Sequence, residues 1–574
     1  MYILGISCFY HDAGACLLKD GKVVAAAEEE RFTRKKHDSD FPINAIEFCF
    51  KKAGITIDDV QLVGFYDKPF LKFERILETY LDSWPRSYVA FRSAVPLWLK
   101  EKIWIPDIIK KKLKYKGEVY FIEHHMSHAA SAFLVSPFRE AAILTVDGVG
   151  EWATTTYGVG RDNKIEILKE IHFPHSLGLF YSAMTYYLGF KVNSAEYKVM
   201  GAAPYGEPKY IDKIRELMDI KEDGSFAMDM RYFAYNYRLK MISRKFEEHF
   251  GVPTRLPEGK IEQFHWDMAA SLQKVTEEIV LKMVRHIKKE TNLDNLCLAG
   301  GVALNCVANE RILKEGGFKN IYIQPAAGDA GGAMGVAFYI WNSILGNERS
   351  FVLKHNYLGP EYTREEVKLF LDKNNIVYKE YERNELIKES ARLIADQKVI
   401  GLFQGRMEWG PRALGNRSII ADARNRENWK RVNLKIKFRE SFRPFAPTVL
   451  EDRAKEYFDL DVPSPFMLLT APVLKDSVPA VTHVNNTARL QTVNREDNPL
   501  YYDLIKGFDD LTGCPVIINT SFNVRGEPIV CSPEDAFNCF MNTEMDYLVM
   551  PPFILEKNAM SRENGAAKNK FELD

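Results

Sequence analysis

Residue types that bind metal ions are concentrated in one short stretch, Val119–Glu151. His124 and His128 stand four residues apart, and the Ala129, Ala130, Ser131, Ala132 run behind them favours helix, so both imidazoles project from one face. Asp147 follows the apolar, β-type run Ala142–Val146 and precedes Gly148 and Gly150, which sets a carboxylate at a strand end where backbone can approach a ligand closely. Two imidazoles and an acid make a ligand set for a transition metal. The same spacing also suits histidines lining an apolar helix, with Asp147 opening a turn.

Other stretches suit anions. LCLAG, then Gly300-Gly301, then VALNCVANERIL reads as strand, glycine turn and helix, a unit that turns backbone N–H groups toward a nucleotide, with Asn305 beside it. A second such unit follows at once: IYIQP, the turn AAGDAGG (326–332), and the helix AMGVAFYIW, with Asp329 among small residues where a cation or phosphate fits. Further on, 405–426 and 435–447 are dense in Arg, Gly, Pro and aromatics rather than striped along a helix. That pattern suits a walled pocket for a compact oxyanion. Arg489 and VIINTSFNVRG (516–526), with Ser521 and Asn523, add further donors. The run EEERFTRKK (28–36) reads as a solvated charged face, although Lys35 and Lys36 can reach a phosphate. NSAEYKVMGAAPYGE (193–207) reads as a site loop. Ser521 lacks a GxSxG setting, and no GxxxxGK[ST] run is present, so nucleophilic hydrolysis and a P-loop are unsupported.

The elements that must hold these residues repeat. Residues 2–30 read as a three-strand meander around the Asp12–Gly14 and Asp20-Gly21 turns, and the same features return at 141–170 around Asp147-Gly148 and Asp162-Asn163. Duplication predicts two related lobes whose turns face a shared cleft. Helical periodicity marks 42–53, 72–115 and the long amphipathic segment 263–291. The polar, Gly- and Pro-bearing stretch 344–363 reads as a domain boundary, followed by two helices and a strand over 364–400. With 574 residues, two to four domains are expected. The near-balanced charge, 77 Lys and Arg against 78 Asp and Glu, gives no ground for a nucleic-acid or membrane partner. The eight scattered cysteines and the absence of a leader or a membrane-length apolar run lead to the expectation of a cytoplasmic protein with reduced thiols.

Taken together, YHDAG, HHMSHAASA, TVDGVGE, EYKVMGAAPYGE, LAGGVALN, GDAGGAMG, EWGPRALGNRSI, KFRESFRPFAP and NTSFN resemble, in order and over almost the whole chain, the O-carbamoyltransferases of the nodulation and antibiotic-tailoring family. The resemblance implies an α/β protein: an actin-like, duplicated ribonuclease H-like domain over 1–350, a YrdC-like domain over 364–556, and a flexible tail over 557–574. It implies formation of carbamoyl adenylate from carbamoyl phosphate and ATP, then transfer to a hydroxyl of a small-molecule or saccharide acceptor. His124, His128, Asp147 and Asp329 would hold iron, with manganese or zinc as alternatives, and magnesium would accompany ATP. His11 would be the catalytic histidine. Lys36, Gly300, Gly301 and Asn305 would touch the nucleotide, while Arg412, Lys437, Arg443, Arg489 and Ser521 would hold carbamoyl phosphate and the adenylate. Trp409 and Ala423 stand where relatives often carry Phe and Pro. A homodimer is the assembly considered. The competing reading is an ATP-dependent small-molecule kinase of the actin-like fold, which leaves the arginine-rich second half unexplained.

Overall fold

The computed structural model describes residues 1–440, 442–560 and 571; of the tail expected over 557–574, Lys557–Ala559 instead form a 3-10 turn with Lys557 Nζ donating to the Phe540 and Thr543 carbonyls, and 561–570 and 572–574 lie outside the described residues. The chain forms two units, one of residues 1–29 and 37–353, the other of 30–36 and 354–574.

In the first unit, β1 (Tyr2–Ser7), β2 (Gly14–Lys19) and β3 (Lys22–Glu28) form an antiparallel meander, its turn made by Asp20 and Gly21 at φ +48° and +74°. β4 (Val60–Phe65) and β5 (Val119–Phe121) continue the sheet in parallel from β1, giving the order 3-2-1-4-5. The second meander is β6 (Glu140–Val146), β7 (Ala153–Arg161) and β8 (Lys164–His172). After a separate hairpin of β9 (Met218–Ile220) and β10 (Phe226–Met228), β11 (Asn295–Ala299) and β12 (Asn320–Ile323) extend it in parallel from β6, in the order 12-11-6-7-8. The two sheets match strand for strand. This is the duplication that the repeated meanders predict. Central β1 is almost wholly buried, as parallel pairing on one side requires, whereas edge strand β8 is exposed along much of its polar KIEILKE sequence.

Helices His124–Phe133 and Asp329–Phe338 fill the space beside these sheets, and small residues let them approach. A Cβ on Gly335 would lie 1.8 Å from the Ser127 carbonyl oxygen, and one on Gly5 of β1 1.9 Å from that of Ala333. Helix Asp329–Phe338 therefore lies flush against β1 on one side and helix His124–Phe133 on the other. Its start corrects the reading of 326–332 as a turn, since Gly331 and Gly332 are already helical. The predicted loop 193–207 is also largely helical, over Glu196–Ala202 and a 3-10 turn at Ala203–Tyr205. Within it Glu196 accepts hydrogen bonds from Ser182 Oγ and the Asn193 N–H, both at 2.8 Å, and Lys198 is buried.

The second unit is built on one nine-stranded mixed sheet. Its strands are β13 (Lys379–Glu380), β14 (Ile400–Phe403), β15 (Arg417–Asp422), β16 (Ala446–Leu450), β17 (Leu469–Pro472), β18 (Thr487–Val493), β19 (Val516–Ser521), β20 (Tyr547–Met550) and β21 (Phe553–Glu556), in the order 13-21-20-14-15-19-16-18-17. Residues 30–36 belong to this unit. Phe32 packs against Met407, Ala413, Ile529 and Cys531. Arg31 donates to the Gly410 carbonyl at 2.9 Å, and Arg34 reaches the Ile529 carbonyl at 2.7 Å, Glu527 at 2.9 Å and Asp535 at 3.3 Å. The charged run is thus not the solvated face that its composition suggests: Glu30 and Arg31 are buried and Arg34 is half-buried.

Candidate active site

Helix His124–Phe133 presents His124 and His128 on one face, with their Nε2 atoms 3.1 Å apart. Asp147, just past the end of β6, places Oδ2 3.1 Å from His124 Nε2 and 3.8 Å from His128 Nε2. Asp329, first residue of its helix, sets Oδ1 3.7 and 4.0 Å from the same two nitrogens. One ligand atom from each of the four lies within 4.8 Å of the others. Each carboxylate is held by its other oxygen: Gly301 N–H donates to Asp147 Oδ1 at 2.9 Å, and Tyr66 Oη donates to Asp329 Oδ2 at 3.1 Å.

The electrostatics favour a cation there. Burial would depress the His124 imidazole, but the Asp147 hydrogen bond and the Asp329 charge push it up to about 9. Burial would raise the Asp147 carboxyl, yet its hydrogen bonds to His124 and His128 hold it well below the usual range. A mixed nitrogen and oxygen set with its outer atoms anchored fits a divalent first-row metal. Around it, Glu151 accepts the His124 backbone N–H at 3.1 Å and that of Lys68 at 2.8 Å. Buried Asp67 is paired with Lys72, and its Oδ2 lies 3.9 Å from His124 Nδ1. Burial and the neighbouring Asp67 charge push the Glu151 carboxyl up to about 7.

His11, in the turn between β1 and β2, is clamped at both nitrogens. Nδ1 lies 2.9 Å from Asp12 Oδ2, and Nε2 lies 2.8 Å from the Asn193 carbonyl. Both partners only accept, so the ring donates from both sides and is an imidazolium. Burial opposes that charge, but Asp12, Asp329 and the Asn193 carbonyl push His11 up to about 10. The other Asp12 oxygen meets His37 Nδ1 at 2.8 Å, and His37 Nε2 lies 3.1 Å from Ser194 Oγ.

Of the predicted nucleotide residues, Gly300 takes φ +87° in a turn where a Cβ would strike the Val146 carbonyl, and Gly301 commits its N–H to Asp147. Asn305 caps helix Cys306–Glu315 through the Ala308 N–H at 3.1 Å and bonds Gln273. Lys36 belongs to the second unit.

In that unit Lys437 is buried and donates to the Ser521 carbonyl at 2.7 Å, Ser521 Oγ at 3.2 Å, the Asn523 carbonyl at 2.8 Å and Asn523 Oδ1. Burial, reinforced by Arg439 and Arg443, holds its ammonium well below the usual lysine range. Glu440 lies 3.5 Å from both Arg443 and Arg525. Lys437, Arg443 and Ser521 are thereby gathered, with Arg525 beside them. Arg412 is half-buried in the loop before β15, whose backbone Glu408 clasps by accepting the Leu414 and Asn416 N–H groups at 2.6 and 2.9 Å. Arg489 lies on β18. Sequence reasoning missed His37 and Asp67. His37 directly follows the basic run, and Asp67 follows the apolar β4, the same strand-end signal that marked Asp147.

Two family models match the chain. Residues 2–338 match the model for the carbamoyltransferase N-terminus, and 391–557 match that for the carbamoyltransferase C-terminus. An uncharacterized protein of Synechocystis sp. is 52% identical over 100% of both chains. Nodulation protein NolNO of Sinorhizobium fredii is 37% identical, covering 97% of this chain and 80% of its own, and nodulation protein NolO of Bradyrhizobium diazoefficiens is 39% identical over 78% and 81%. The chain belongs to the carbamoyltransferase family and is a transferase.

Proposed function

We propose that this protein is an ATP-dependent O-carbamoyltransferase acting through carbamoyl adenylate. The observation that carries the reading is the convergence, in one unit, of four metal-type ligands with a histidine clamped by its neighbouring aspartate. In the second unit water hydrolyses carbamoyl phosphate, breaking its acyl–phosphate linkage to give carbamate and phosphate. A carbamate oxygen then attacks the α-phosphorus of magnesium-bound ATP and pyrophosphate leaves. Lys437, Arg443, Arg412, Arg489 and Ser521 hold the anions and offset charge developing on phosphorus oxygens. Within the second unit Lys36 is a proposed contact of ATP, and within the first Gly300, Gly301 and Asn305 are the proposed contacts of the nucleotide carried by the adenylate.

In the transfer step an acceptor hydroxyl oxygen bonds to the carbamoyl carbon, the acyl–phosphate bond breaks, and AMP departs with its electron pair. His11 first loses its Nε2 proton to solvent and then takes the hydroxyl proton on that nitrogen, while Asp12 holds the Nδ1 proton and fixes the ring. A metal held by His124, His128, Asp147 and Asp329, iron first and manganese or zinc next, would supply a Lewis acid to a carbonyl or phosphate oxygen. The acceptor is a hydroxylated small molecule or saccharide. The test supplies purified protein with carbamoyl phosphate, ATP and a panel of such acceptors. Carbamoyl-phosphate-dependent release of pyrophosphate and AMP, with an acceptor heavier by one carbamoyl group, is expected. ADP with a phosphorylated acceptor would instead identify a kinase.

A further inference from the structure

The two repeats of the first unit differ in the connection between their last two strands. In the second repeat β11 reaches β12 through the 3-10 turn Gly301–Leu304 and the single α-helix Cys306–Glu315, whereas in the first β4 reaches β5 through helices Pro69–Asp82, Tyr88–Lys100 and Ile105–Leu113. The inner face of this insertion is ordinary core. Trp98 stacks on Tyr10 and Phe73 at 5.9 and 6.0 Å, and Ile105, Ile109 and Leu113 are buried at helical spacing.

The outer face is not ordinary. Leu81, Trp84, Tyr88, Val89, Leu99 and Trp104 are each about half exposed or more, at 49–68%. Trp84 and Tyr88 meet edge to face at 5.7 Å, and Trp104 ties its indole N–H to the Leu99 carbonyl at 2.9 Å, which leaves its ring for apolar contact. On the middle helix Val89, Arg92, Pro96 and Lys100 follow helical spacing, so apolar and basic side chains share one stripe. From Trp84 to Lys116 there are nine Lys and Arg against two Asp and Glu, in a chain whose net charge is −1. Arg92, Lys100, Lys110, Lys111, Lys114 and Lys116 are exposed and form no ion pair among the described residues. The balanced total from which no membrane partner is expected conceals this local excess.

We propose that this face docks on an anionic lipid surface. A second copy presenting the same surface would set base against base. A nucleic-acid backbone would satisfy the lysines but offer nothing to Leu81, Val89 and Leu99. A bilayer surface meets all three features, with acyl chains for the aliphatics, the headgroup boundary for Trp84, Tyr88 and Trp104, and lipid phosphates for the bases. Contact is peripheral, because no described helix is long and apolar enough to cross a membrane.

The test is co-sedimentation of the full-length protein with phosphatidylcholine vesicles, with and without phosphatidylglycerol. Binding is expected only with the anionic lipid and weakens as salt rises. W84A/W104A and K110E/K111E/K114E should each weaken it by about tenfold or more while thermal melting stays unchanged. Should either variant fail to fold, quenching of wild-type tryptophan fluorescence by lipids brominated on their acyl chains reads the same contact, and W84F/W104F should abolish it. No binding to anionic vesicles, undiminished binding by both variants, or a dimer in solution that W84A/W104A dissociates would overturn the proposal.

Discussion

His11 and Asp12 are adjacent in the chain, yet their side chains meet, Nδ1 to Oδ2 at 2.9 Å, because Asp12 takes the left-handed φ of +35°. The Asn193 carbonyl on the other nitrogen completes an imidazolium with a raised pKa of about 10. A base must be neutral to accept a proton, so transfer activity should climb with pH toward that value. NMR titration of His11 should give a midpoint near about 10, and Asp12→Asn should move both the midpoint and the kcat/KM limb to lower pH. The linked stability has the opposite course: the clamp contributes fully below the ordinary histidine pKa and is lost as pH rises through the raised one. A His11 titrating at its ordinary value would refute the clamp.

Metal content should depend on all four ligands. Asp147→Asn and His128→Ala should each abolish stoichiometric metal in the purified protein, measured by plasma mass spectrometry. Tyr66→Phe, which removes only the hydrogen bond to Asp329 Oδ2, should retain metal with affinity lowered by about 10–100-fold.

The Lys437 ammonium shares its three N–H donors among the carbonyl and side-chain oxygens of Ser521 and Asn523. Lys437→Met should strand those acceptors and cost about 1–3 kcal/mol in denaturant unfolding. It should also reduce carbamoyl-phosphate-dependent pyrophosphate release by about 100-fold or more. Preserved pyrophosphate release would remove Lys437 from the first half-reaction.

Gly335→Ala tests whether helix contact sets the ligand geometry. Its methyl would meet the Ser127 carbonyl at 1.8 Å and force apart the helices that carry Asp329 and the His124/His128 pair. A loss of about 1–3 kcal/mol in stability is expected, with weaker metal binding by calorimetry. Unchanged metal affinity would show that the site adjusts independently of this contact.

Much of the first unit was legible because its signals are local. Meanders end in Asp-Gly turns, and His124 and His128 repeat at helical spacing whatever surrounds them. Asp147 and Asp329 were legible as acids beside glycines, but that Gly301 and Tyr66 orient them depends on packing between distant segments. The loop reading of 193–207 failed because Gly and Pro there punctuate short helical turns. The run 28–36 misled for a different reason. Alternating charge normally marks solvent, and the acids that bury Arg34, Glu527 and Asp535, come almost five hundred residues later.

That late partnership bears on biosynthesis. Phe32 and Arg34 leave the ribosome near the beginning, whereas the surface they complete is finished only when residues 527–535 have been made. No single cut releases the C-terminal body whole: a fragment starting at Lys354 would lack Phe32 from its apolar cluster and expose Glu527 and Asp535 without their guanidinium. Attempts to produce the two halves separately should therefore carry residues 30–36 over as a supplied peptide or a circularly rearranged N-terminus.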